Sequence, residues 1–174
     1  MKFQAWKKLN LVLTYSTEAF LFITDPHQSP FNVGLDLSLI DFDRMRVEAL
    51  NWQHGSPVKT PQEMDSIMEL SQGHPFLVRK VLYTLTAQQL SLEKLLEQAC
   101  DQDGPFSDHL QRYLLRLQRD QELSQAMKSV IQNHTCPTDL LFYKLRSGGL
   151  VVGPARNNVR PRCGLYAQFF KQHL

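Results

Sequence analysis

At about Asp41 the hydrophobic period of this 174-residue chain changes, and that change limits what it can fold into. Before it, residues 9–16 (LNLVLTYS) form a short apolar run ending in polar side chains. That is the pattern of a buried strand in a parallel sheet whose C-terminal end opens on a site. Residues 35–40 (LDLSLI) alternate and predict a half-buried or edge strand. Between them, residues 24–34 are rich in turn formers and read as a loop. Two strands do not make a stable sheet. The buried strand therefore needs neighbours beyond the one that residues 35–40 offer.

From Asp41 onward the period is helical. Asp43 can cap a helix carrying Met45, Val47, Ala49, Leu50 and Trp52, stopped by Gly55 and Pro57. Thr60, Pro61 and Glu63 form a capping box for a helix that presents Met64, Ile67, Met68 and Leu70 and ends at Gly73. A third helix starts at His74 or Pro75 and runs to about Thr86, with Phe76, Leu77, Val81 and Leu85 on one stripe and Lys80 and Thr84 off it. Ser91 can cap a fourth, with Leu92, Leu95, Leu96 and Ala99, closed by Gly104 and Pro105. These four predict one bundle over residues 43–104.

Two further helices are expected over residues 107–118 and 120–133. A short helix over residues 138–146 then ends at Gly148 and Gly149. Leu150, Val151 and Val152, a turn over residues 153–158 and Val159–Pro161 as the returning strand give a hairpin, followed by a last helix over residues 165–173. A helix, a short helix, a hairpin and a final helix describe a winged helix over residues 105–174. The fold class is thus mainly α: a remnant of a parallel sheet, a helical bundle and a C-terminal winged helix.

Several chemistries lack their residues. A phosphate-cradling loop needs glycine directly before lysine, and none of the eight glycines has one. Asp41 and Asp43 read as strand end and helix cap. The six histidines are scattered, with no His-Glu-x-x-His and no Cys-x-x-Cys to hold a metal. Cys100, Cys136 and Cys163 are odd in number and spaced 36 and 27 apart, which fits inert reduced thiols in a cytosol. There is no Gly-x-Ser-x-Gly. No apolar run approaches the roughly 20 residues of a membrane helix, and no signal-peptide cleavage site follows the N-terminus, so the expected location is cytoplasmic with no membrane partner. From Leu140 onward there are six basic residues and no acidic one. Arg156, Arg160 and Arg162 are the candidates for contact with DNA phosphates, although the expected recognition helix, with Leu140, Leu141, Phe142, Tyr143 and Leu145, leaves few polar side chains for base edges.

With these residues in view, the chain resembles the C-terminal part of the AAA-like domain of bacterial, mainly cyanobacterial, signal-transduction ATPases with numerous domains (STAND). The matching stretches are LVLTYSTE at 11–18, QSPFNVG at 28–34, GHPFLV at 73–78, YLLRLQRDQELSQAM at 113–127, LRSGGL at 145–150 and RPRCGLYAQFFKQHL at 160–174. The resemblance implies that residues 1–42 are the remnant of a nucleotide-binding α/β core, 43–104 a helical lid and 105–174 the winged helix. It implies that Ser16 and Thr17 lie near nucleotide phosphates as a sensor. It also implies that Gly73, His74 and Pro75 match the lid's glycine-x-proline motif, where the helix start approaches adenine and ribose. A proline in the first helical turn after a glycine would let backbone come close to a flat base, and a plain helix stop and start explains the same residues.

The family's P-loop and magnesium-binding aspartate would lie upstream of the first strand here. ATP hydrolysis depends chiefly on those parts, so the expectation is a regulatory or interaction module that is not an enzyme on its own. ATP or ADP and magnesium would enter only with a partner supplying the P-loop. The expected partner is a protein, the missing ATPase half or a second copy of the chain. The alternatives are a winged-helix DNA-binding regulator and one half of a split ATPase.

Overall fold

The computed structural model describes residues 39–174, together with Val12. Of the strand expected over residues 9–16 only Val12 is described, exposed and without regular structure; the sensor candidates Ser16 and Thr17 and most of the strand expected over 35–40 lie outside the described residues. Leu39 and Ile40, at the end of that second stretch, are exposed and carry no regular structure. The described part is mainly helical. Its order is α1 (Arg44–Gln53), α2 (Pro61–Ser71), α3 (Pro75–Ala87), α4 (Leu92–Glu97), α5 (Ser107–Arg119), α6 (Gln121–Asn133), α7 (Asp139–Ser147), β1 (Val151–Ala155), β2 (Asn158–Pro161) and α8 (Gly164–His173).

Local chemistry sets most of these boundaries, because a side-chain acceptor placed just before a helix satisfies donors that have no partner within it. Asp43 accepts from the Arg46 amide at 2.8 Å. The Thr60 hydroxyl accepts from the Glu63 amide at 3.2 Å while Glu63 accepts from the amides of Thr60 at 2.9 Å and Lys59 at 2.7 Å. Those backbone donors hold the Glu63 carboxyl below its ordinary range. Ser91, Asp120 and Thr138 cap α4, α6 and α7 in the same way.

α1 turns Val47 and Asn51 inward, and Asn51 exchanges two hydrogen bonds with the Val58 backbone, at 3.0 and 3.1 Å. Met45 and Trp52 stay exposed. Arg44 ties α1 to α2 through Asp65. α2 packs on α3, and α3 on α4. α8 packs on α2, α5, α6 and β2, burying Leu165, Tyr166, Phe169 and Phe170. A single apolar cluster therefore runs from Val47 to Phe170. The crossing of α8 over α2 is close: a Cβ on Gly164 would lie 2.6 Å from the Glu69 carbonyl oxygen.

Two expectations change. On α3 the buried side chains are Leu77, Val78, Val81, Leu82 and Thr84, whereas Phe76 is 45% exposed. Thr84 stands seven residues from Leu77, two helical turns along the same face, so a helix covered on two sides draws it inward. Its hydroxyl is buried without a hydrogen-bond partner among the described residues. In the hairpin, β1 continues through Gly153 and Pro154 to Ala155, so the turn is shorter than residues 153–158. The strands are antiparallel, pairing Val151 with Pro161 and Ala155 with Asn158, and an irregularity between Val152 and Ala155 absorbs the extra length inside the strand.

Candidate functional site

Three separated parts of the chain meet at the turn between α2 and α3. Gln72 closes α2 in the left-handed region, at φ 49°, and Gly73 follows at φ 74°. The Ser71 hydroxyl accepts from the Gly73 amide at 3.2 Å while donating to the Ile67 carbonyl at 2.7 Å. The linker before α1 then lies across this turn. The Phe42 amide donates to the Gly73 carbonyl at 2.8 Å, and a Cβ on Gly73 would fall 1.8 Å from the Phe42 carbonyl oxygen. The glycine does let backbone approach closely, and the approaching backbone is that of Phe42.

One residue earlier, Asp41 reaches the β2–α8 junction. Its two carboxylate oxygens accept from Arg162, Oδ1 from Nη2 at 2.6 Å and Oδ2 from Nε at 3.3 Å, a fork-on-fork ion pair between groups 121 residues apart. Both side chains are about three-quarters buried, at 24% and 29% exposure. The Arg162 amide donates to the Leu150 carbonyl at 2.9 Å, which fixes the guanidinium relative to the start of the hairpin.

Beneath the turn lies a cluster of rings. His74 is half-buried, and its Nδ1 accepts from the Phe76 amide at 3.3 Å, capping α3; Pro75 occupies the first helical position. His109, from α5, stacks on Phe76 with ring centres 4.5 Å apart and meets His74 edge-on at 6.1 Å. His109 Nε2 and the Tyr166 hydroxyl share a hydrogen bond of 2.6 Å. Tyr113 stands edge-on to His109 at 5.0 Å. Burial, then the nearby Arg162, lower the His74 pKa; burial, His74, Arg112 and Arg162 bring His109 down to about 4. Both imidazoles are neutral at pH 7. Burial also raises the Tyr166 hydroxyl and pushes the Cys163 thiol up to about 12, so neither ionises near neutrality.

Gly73, His74 and Pro75 thus sit together at one turn, joined by Arg162. Arg162 is turned toward Asp41, while Arg156 donates to the Pro137 carbonyl at 3.1 Å and lies 3.6 Å from Asp139. Arg160 is exposed and donates to the neighbouring Pro161 carbonyl at 3.4 Å. The three arginines therefore do not form one surface patch of uncommitted charge. Sequence reasoning missed His109, Tyr113 and Tyr166, and read Asp41 only as a strand end. The spacing of His109 and Tyr113, four apart and flanking the buried Leu110 and Leu114, carried the one available signal for an aromatic stripe on α5.

A nucleotide's phosphates call for backbone donors, a lysine and a metal. At this turn the described residues supply neutral imidazoles and an arginine already held by a carboxylate, and the space above Gly73 is filled by Phe42. They do not fit a triphosphate. Among the described residues no group of three metal-ligating side chains occurs, and no helix is long and apolar enough to cross a membrane. A separate cleft of about 610 Å³, lined by residues including Glu69, Ile131, Gly164 and Lys171, contains none of the turn residues.

No curated protein and no solved structure matches the chain. The model of the family described as the AAA-like domain matches residues 1–172. With nearly its whole length covered, the chain belongs to the AAA-like domain family.

Proposed function

We propose that this chain is the lid and winged-helix portion of a STAND-type signalling ATPase, acting as a regulatory and interaction module without hydrolysis of its own. In this reading residues 43–104 are the lid, residues 105–174 the winged helix and residues 1–42 the remnant of the nucleotide-binding core. The observation that carries it is the convergence at Gly73. Phe42 holds the lid turn and Asp41 holds Arg162, so a displacement of the chain before Asp41 pulls on the lid and on the hairpin together. A switch needs such a shared contact, because both ends must respond to one equilibrium.

Ser16 and Thr17 remain the candidates for the phosphate side, and Gly73, His74 and Pro75 for the base side, of a nucleotide bound only when a P-loop is supplied by a partner. That partner is the other ATPase half. The residues at hand contain no glycine–lysine step on which to build a phosphate cradle. The test is ATP turnover and fluorescent-ADP binding by the purified chain. Turnover is expected to be undetectable and ADP binding weak; robust hydrolysis would overturn the reading. Salt-dependent duplex binding lost on neutralising Arg156 and Arg160 would instead favour a DNA-binding regulator.

A further inference from the structure

α5 buries Leu110, Leu114 and Leu117, and it packs on α6 and α8. At about 100° per residue, Arg112, Arg116 and Arg119 fall within an arc of about 60° on the opposite side, with Leu115 at its edge. All four are exposed, Leu115 at 52%. Arg112 Nε donates to the Asp108 carbonyl one turn back, at 3.1 Å, which steadies that side chain on the helix surface. The ion pairs of the described residues engage Arg44, Arg46, Arg156 and Arg162, and none of the three arginines of α5. Asp108, in the first turn, is the one carboxylate that α5 itself carries.

The helix dipole accounts for part of this pattern. Arg116 and Arg119 belong to the last turn, where cations are favoured. It does not account for Arg112, which lies farther in, or for an exposed leucine beside the arginines. A solvated face would mix charges of both signs. The apolar surface also continues past the arc: Phe76, partly exposed, stacks on His109, which stands on the Arg116 side of the helix. Arginine with an aromatic ring and a leucine, and no lysine along the helix, is the composition of protein-binding surfaces, where arginine and aromatic side chains are enriched and lysine is depleted. A nucleic acid backbone would answer the charges, but its phosphates offer nothing apolar to cover Leu115.

We infer that the outer face of α5 is a docking surface for an acidic amphipathic helix of a partner protein. The three arginines span about 10.5 Å along the helix axis. Carboxylates at positions i, i+4 and i+7 of a partner helix repeat over the same length, and apolar side chains flanking them cover Leu115 and Phe76. The charges set approach and register, while the apolar contacts supply the buried area. The inference stands apart from the nucleotide reading, because such a helix would bind with or without a nucleotide.

The test is fluorescence anisotropy on the full chain with a labelled helical peptide of about 20 residues, carrying glutamates at i, i+4 and i+7 with leucines beside them. The peptide should bind, and its affinity should fall about tenfold or more as salt rises from about 0.05 to about 0.5 M. Replacing its glutamates by glutamine should abolish binding. Arg112→Gln, Arg116→Gln and Arg119→Gln together should weaken binding about tenfold or more, and Leu115→Ala about threefold to tenfold. Arg112→Glu, Arg116→Glu and Arg119→Glu together should instead bind the same peptide with lysine in place of glutamate. No binding of the acidic peptide, or an unchanged affinity in the glutamine triple variant or in Leu115→Ala, would overturn the inference. So would a duplex DNA of about 20 base pairs that binds through the same arginines more tightly than the peptide. Should the triple variants not fold, Leu115→Ala and the glutamine peptide on the wild-type chain still decide.

Discussion

Where α6 meets α8 the buried side chains are mainly apolar: Met127 and Val130 on one helix and Phe169 and Phe170 on the other, the two phenylalanines edge-on at 5.3 Å. At the α2–α3 turn the rings are as closely packed, yet they carry an ion pair, a capping nitrogen and a tyrosine–histidine hydrogen bond. Apolar contacts scale with buried area and are indifferent to small changes of angle. Forked ion pairs and capping bonds hold only in one arrangement, and their net contribution is small because desolvation offsets much of the attraction. The first region supplies stability. The second supplies a fixed relation between linker, α2–α3 turn and hairpin that a modest free-energy change can undo.

The comparison can be broken by substitution. Phe170→Ala should have the largest effect, costing about 3–5 kcal/mol in chemical denaturation, because it empties a fully buried ring position. A loss below about 1 kcal/mol would remove the stabilising role assigned to α8. Gly73→Ala comes next. A Cβ there strikes the Phe42 carbonyl and occupies the left-handed region, so a loss of about 1–3 kcal/mol is expected, with the Phe42 amide losing protection before any core amide. Arg162→Gln should cost least in global stability, about 1 kcal/mol given the pair's partial exposure. It should nonetheless loosen residues 41 and 42 in amide exchange, which sharpens the distinction between holding the fold and holding the linker.

Much of this molecule was legible in its sequence, for a local reason. Asp43, Thr60 with Glu63, Ser91, Asp120 and Thr138 act within a few residues of themselves, so the helix starts follow from short patterns. The hairpin strands were legible too, but not the irregularity that carries β1 through Gly153 and Pro154. The site was legible only in its own turn. Gly73, His74 and Pro75 are adjacent in sequence, whereas Asp41 finds Arg162 across 121 residues and His109 finds Tyr166 across 57. Nothing in either local sequence announces such a partner. The α3 stripe erred for a related reason: which helical face is covered, and on how many sides, is decided by neighbours and not by the helix itself.

The most direct measurement is native-state amide exchange in Asp41→Asn, comparing Phe42, which donates to Gly73, with Arg162, which donates to Leu150. If one contact couples the α2–α3 turn to the hairpin, both amides lose protection together while amides in the middle of α6 and α8 do not. Loss at Phe42 with an unchanged Arg162 would show that the two sides respond independently, and the account of a shared switch point would fail.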